Sequence, residues 1–205
     1  MEFYNIWTFI LDYFYKNPFE FWGFITSVIC VYLNTRENVW GWFFAIIAAA
    51  FYIKVFYDVR LFGDLYLQIF FIIVSLYGWY EWLFGGENRT QLHIQRISTK
   101  IIGQLVFIFL ISFPLMGWFL SIMKSNLPYL DAATTTISLI AQWLMARKYL
   151  ENWLVWIFVN IIYVGMYYYN QIYLTSFLYV IFLGLATMGY FNWRKSLLVT
   201  KNATN

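Results

Sequence analysis

From Ile101 to Ile122 the chain runs for twenty-two residues without one charged side chain. In water such a run has no solvated face. In hydrocarbon a helix satisfies all its own backbone groups, and about 20 apolar residues span the bilayer core. Six further runs are long and mostly apolar, with any charge near an end, so helices are expected over roughly 18–34, 40–57, 62–84, 101–122, 128–146, 152–169 and 172–193. Pro18 and Pro128 stand where a first helical turn accepts proline, and Asn152 reads as an N-cap. Pro114, inside the fourth run, predicts a kink. The expected class is an all-α membrane protein.

The rest of the composition narrows the field. Charged residues make up 11% of the chain and hydrophobic ones 62%, against about 25% charged in soluble domains. A net charge of +3 with no basic block gives no reason to expect nucleic acid as a partner. Cys30 stands alone, so no internal disulfide forms. In residues 1–17, Phe3, Ile6, Trp7, Ile10, Leu11 and Phe14 recur at helical spacing. That stretch lacks a basic leader and reads as an amphipathic helix lying in the membrane interface.

Lysine and arginine set the orientation. With seven spans, Lys16, Lys54, Arg60 and Lys124 lie on one side. Arg36, Arg89, Arg96, Lys100, Arg147, Lys148, Arg194, Lys195 and Lys201 lie on the other. The richer side is expected to be cytoplasmic, which places the C-terminus inside and the N-terminus outside.

The chain also repeats itself. A shift of 114 residues pairs Glu37, Asn38 and Trp42 with Glu151, Asn152 and Trp156. A shift of 111 pairs Gly78 and Trp82 with Gly189 and Trp193, so YGWYEW (77–82) answers MGYFNW (188–193). A four-span shift preserves direction across the membrane, which implies parallel repeats with a ligand site between them. The expected organisation is an interfacial helix over 1–17 and a first three-helix repeat over 18–84. A loop and linker helix over 85–127, a second repeat over 128–193 and a cytoplasmic tail over 194–205 complete it.

Polar groups at membrane depth need partners. In the fifth span Asp131, Thr135, Ser138 and Gln142 share one helical face. In the sixth, Trp153, Trp156, Asn160, Tyr163 and Tyr167 do so, and the third adds Gln68, Ser75, Trp79 and Trp82. Small hydroxyls often join helices, whereas the amides of Gln68, Gln142 and Asn160 offer donors and acceptors together and point to ligand contact. Trp82 and Trp193, near span ends, read as interfacial anchors. No ionisable residue occupies the middle of a span, which argues against ion coupling. A cationic ligand would instead rest on aromatic faces. HExxH, P-loop, GxGxxG and CxxC motifs are all absent, so neither an enzyme nor a metal or cofactor site is expected.

LQIFFIIVSLYGWYEW (67–82) and WLMARKYLENWLVWIFVN (143–160) resemble the PnuC-type vitamin transporters, a likeness that runs from about 19 to 195. The resemblance implies seven helices in two three-helix repeats joined by a fourth, as in SWEET sugar transporters, and a homotrimer in the bacterial inner membrane. It implies facilitated diffusion of nicotinamide riboside, an NAD precursor, trapped by a cytoplasmic kinase. Relatives carry thiamine or riboflavin. By the same resemblance Gln68 and Asn160 would hydrogen-bond the ligand, and Trp42, Trp156, Tyr163 and Tyr179 would wall its ring; Ser75, Thr135 and Gln142 join the candidates from the face pattern. Where the family often carries an Asn-Tyr-x-x-Gly-x-x-Asn-like stretch, this chain reads WGWFFAIIAAA, with Ala45 and Ala48 in place of glycine and asparagine. That departure keeps thiamine as a rival substrate. A heptahelical receptor or scaffold is the alternative from another class.

Overall fold

A computed structural model describes residues 15–58, 62–123, 127–169 and 173–203, with the side chains of 62–64, 167, 173–175 and 200–203 left aside. The amphipathic helix expected over 1–17 lies almost wholly outside the described residues. Seven long helices follow one another: α1 (Pro18–Thr35), α2 (Trp40–Asp58), α3 (Phe62–Phe84), α4 (Thr99–Ile122), α5 (Pro128–Ala146), α6 (Asn152–Tyr169) and α7 (Tyr173–Ala203). Proline opens α1 and α5, and α4 runs through Pro114. The last helix runs past the expected limit of its span, so residues 194–203 are helical. One expectation needs correcting. Asn152 does not cap α6; it is the first helical residue, and its amide donates backward to the Tyr149 carbonyl at 2.6 Å.

Among the described residues, four helices are long and apolar enough to cross a membrane: α2, α4, and the Leu65–Phe84 and Ser176–Val199 stretches of α3 and α7. α5 falls short because it spends its sequence on Thr134, Thr136, Ser138 and Gln142, the first three of them buried. A polar residue on an inward face lowers hydropathy without touching lipid.

The helices close into a ring. Each packs on the next in the order α1, α2, α3, α5, α6, α7, and α7 returns to α1. α4 stands outside, packed along α5, and turns Phe107, Leu110, Leu115 and Trp118 outward.

The two tight turns of the ring, after α1 and after α5, are built alike. Asn38 N–H donates to Leu33 O at 3.0 Å and Glu37 N–H to Asn34 O at 3.1 Å. The second turn repeats the pattern from Tyr149 to Leu144 (2.9 Å) and from Lys148 to Met145 (3.0 Å). Both are Schellman turns, which satisfy the last carbonyls of a helix through one left-handed residue. That residue is Glu37 (φ 55°) in one and Lys148 (φ 50°) in the other. The equivalent positions lie 111 residues apart, not 114. The turn therefore pairs Glu37 with Lys148, Gly41 with Asn152 and Trp42 with Trp153, the same shift that links Trp82 to Trp193.

Tight contact follows at matching places. A Cβ on Gly78 would stand 2.5 Å from the Trp42 ring, and one on Gly189 would stand 2.6 Å from Trp153. Gly78→Ala and Gly189→Ala should each lower the thermal midpoint in detergent, by an overpacking cost of about 1–3 kcal/mol. Gly103→Ala, with nothing within 4 Å of the added carbon, should hold or raise the midpoint.

Candidate functional site

One end of the ring is closed by four tryptophans in a row. Trp42 meets Trp82 at 5.4 Å between ring centroids, Trp82 meets Trp193 at 5.7 Å, and Trp193 meets Trp153 at 5.4 Å. All four are 0–2% exposed. The middle pair ties the two sides together. Trp82 Nε1–H donates to Met145 O at 3.1 Å, and Trp193 Nε1–H donates to Asn34 O at 2.9 Å. These two carbonyls also accept the Schellman bonds of their turns. Trp82 and Trp193 are thus core residues and not interfacial anchors.

Charges cover this layer. Lys148 Nζ sits 3.5 Å from a Glu37 oxygen and 4.7 Å above the Trp82 ring, so the two left-handed residues pair across the ring. Burial pushes the Lys148 ammonium below the ordinary lysine range, against the pull of Glu37. Arg147 holds Glu81 at 2.6 Å. Residues 85–98, for which the sequence offered no fold, form a strap over α3 and α5. Gln95 exchanges backbone bonds with Lys148 O and Leu150 N–H, both 3.0 Å, and its side chain donates to Arg147 O at 3.0 Å. Ile97 N–H and Arg96 reach Glu151 at 3.0 and 3.4 Å. Leu92 and Ile94 turn inward beneath it.

Below the layer the residues become small. Seven residues are nearly two full turns, so the side chain returns to almost the same face about 10.5 Å away. Counting seven from Asn34, Trp42, Trp82, Met145, Trp153 and Trp193 reaches Ser27, Ala49, Ser75, Ser138, Asn160 and Ala186. Five of these six are buried at 1–6% exposure, and Ser27 is half-buried. Asn160 alone among them bears an amide. Ser138 Oγ is buried without a hydrogen-bond partner, as are Thr136 Oγ1 and the indole nitrogens of Trp42 and Trp153.

The candidates from sequence divide accordingly. Ser75 and Asn160 lie on this level, with Gln68 a further seven residues from the layer along the face of Ser75 and Trp82. Trp42 belongs to the layer itself. Thr135, Gln142, Trp156, Tyr163 and Tyr179 are half-buried, and the Tyr163 and Tyr179 rings meet tilted at 36° with centroids 4.6 Å apart. Gln142 lies one turn from Met145, between the layer and the level. Sequence reasoning passed over Ala49 and Ala186, which carry no chemistry of their own. Their signal was the 111-residue shift carried from Trp42 and Trp82.

Residues 17–195 match the family described as nicotinamide mononucleotide transporter. The chain belongs to that family. It is a multi-pass membrane transporter and not an enzyme. The nicotinamide riboside transporter PnuC of Escherichia coli strain K12 is 26% identical over 200 residues, covering 85% of this chain and 84% of the relative. PnuC of Neisseria mucosa is 25% identical, covering 83% and 70%. The riboflavin/roseoflavin transporter RibM of Streptomyces davaonensis is 24% identical, covering 83% and 82%. The crystal structure of the vitamin B3 transporter PnuC shares the fold, with a TM-score of 0.71 and 24% identity over 90% of this chain and 85% of that one.

The left-handed turn residues allow a clean test of the layer's backbone. An L side chain in that conformation costs about 1–2 kcal/mol that glycine avoids. Glu37→Gly and Lys148→Gly should therefore be more stable than Glu37→Ala and Lys148→Ala by about 1 kcal/mol, read as thermal midpoints.

Proposed function

We propose that the chain carries nicotinamide riboside into the cell by facilitated diffusion, through the axis of the ring, in the bacterial inner membrane. The observation that carries this reading is Asn160: a buried amide in a level of small, uncharged residues, about two turns beneath a closed aromatic layer. Nicotinamide riboside has a cationic ring and hydrogen-bonding edges. An amide supplies both donor and acceptor to such edges, and aromatic walls suit the ring. Thiamine shares the ring charge and is the second reading, favoured by alanine at 45 and 48 in α2. The likeness to RibM keeps riboflavin in the same comparison.

In this reading α1–α3 and α5–α7 are parallel copies joined by α4, which supports a SWEET-like 3+1+3 arrangement. The matching Schellman turns, the exchanged indole bonds and the constant shift of 111 favour it. The charged end faces the cytoplasm on the lysine and arginine count, with the N-terminus outside. Release inward then requires the Trp82–Met145 and Trp193–Asn34 bonds and the Lys148–Glu37 pair to part. The apolar outer face of α4 suits lipid or a neighbouring copy in a homotrimer. With no ionisable group at mid-span, the gradient of the vitamin itself drives transport. Accumulation comes from a cytoplasmic kinase that phosphorylates the product.

Vesicles settle this. Labelled nicotinamide riboside should equilibrate across proteoliposomes holding the protein alone, and should accumulate when kinase and ATP are enclosed. Accumulation driven by a proton or sodium gradient alone would overturn the facilitator mechanism, and faster thiamine entry would reassign the substrate. Asn160→Ala should weaken binding by about 10-fold or more, the worth of one hydrogen bond to a charged or strongly polar ligand. Titration of purified protein reads the change, and a normal thermal midpoint confirms folding.

A further inference from the structure

The two sides of the charged end match in backbone but not in cover. Over α3 and α5 the strap fills the crevice, with Gln95 bridging Lys148 O and Leu150 N–H. The positions 111 residues earlier are Glu37 O and Val39 N–H, and neither carries a hydrogen bond among the described residues. Instead of folding back as α3 does at Phe84, α7 continues to Ala203. A cavity of about 270 Å³ stays open there, lined by Thr35, Arg36, Glu37, Asn192, Lys195 and Ser196.

Charge differs as well. On the covered side Arg147 is neutralised by Glu81 at 2.6 Å. On the open side the matching pair is Arg36 and Asn192. The carboxylate is missing, and the Asn192 amide turns to Thr35 O at 3.4 Å. Arg36 is exposed beside the Tyr32 ring, and Lys195 is exposed where the covered side has Phe84. Neither forms an ion pair among the described residues.

We infer that this crevice docks an extended, acidic segment of a partner protein. The segment adds one β-bridge to Glu37 O and Val39 N–H, as Gln95 does on the other side, and supplies the carboxylate that Arg36 and Lys195 lack. Backbone pairing gives the affinity and charge gives the choice of partner. A lipid headgroup would answer the charge, but it has no peptide group to meet the free carbonyl and amide together.

The probe is the pentapeptide Glu-Ile-Gln-Glu-Ile-amide with fluorescein joined to its N-terminal nitrogen, titrated by anisotropy against the full chain in neutral phosphatidylcholine nanodiscs. Saturable binding is expected. Arg36→Ala combined with Lys195→Ala should weaken it by about 10-fold. N-methylation of the central glutamine nitrogen, which removes the donor for Glu37 O and leaves every charge in place, should weaken it as much. This second comparison uses unaltered protein, so it stands whether or not the double variant folds. Absence of saturable binding overturns the proposal. Equal binding of the methylated peptide, or its displacement by phosphatidylglycerol in the disc, also overturns it and assigns the crevice to an anionic headgroup.

Discussion

Two indole hydrogen bonds hold the ring shut, and much of the charged end is arranged to make them. Trp82 and Trp193 each reach across to a carbonyl at the end of the opposite first helix. That carbonyl is already one acceptor of a Schellman turn, and a carbonyl oxygen has two lone pairs to give. The indole must arrive within about 3 Å, so its own helix must approach closely. Gly78 and Gly189 make that possible by leaving room for Trp42 and Trp153. Backbone turn, glycine notch and indole bond are therefore one device, used twice.

The device carries strain at its centre. Glu37 and Lys148 hold left-handed backbone that glycine would adopt without cost. Their side chains are what glycine cannot supply, because they meet across the ring over Trp82. Strained residues persist where surrounding structure over-determines them, and they gather at switch regions. Such a pair stabilises the closed end only modestly, since part of the Coulomb gain offsets the cost of burying the lysine. On the proposed reading this closure opens in each cycle, and a weak clasp serves that better than a strong one.

Much of this was legible in the sequence, unevenly. Most helix limits were, because the apolar runs end near proline, asparagine or a basic residue and those features act locally, although the far end of α7 was not. The repeat was half legible. Glycine and tryptophan at 78, 82, 189 and 193 gave the right shift because tight packing fixes residue type. The turns misled, since Schellman geometry is a property of the backbone and admits unlike residues. Glu37 resembles Glu151 in chemistry while its geometric partner is Lys148. Trp82 and Trp193 read as interfacial because aromatic residues near span ends usually are. Trp82 instead shares a buried cluster with Trp42, Trp193 and Ile94 of the strap, and the strap's alternation of Leu92 and Ile94 with polar residues is a short β signal too brief to stand out in a polar loop.

Symmetry in the layer and asymmetry beneath it fit opposite needs. A closure shared by two sides of the ring works best when both contribute the same bonds, and the two indole bonds do match. A ligand with a charged ring at one end and hydroxyls at the other has no twofold axis to match. On the proposed reading the second bundle provides Asn160, Gln142 and Thr135, whereas the equivalent positions in the first hold Ala49, Val31 and Phe24. In the same reading the first bundle provides Gln68 and Ser75, where the second holds Tyr179 and Ala186. Each side then offers polar groups to a different part of the ligand, so the two walls are unlike although the bonds that close the layer above them match.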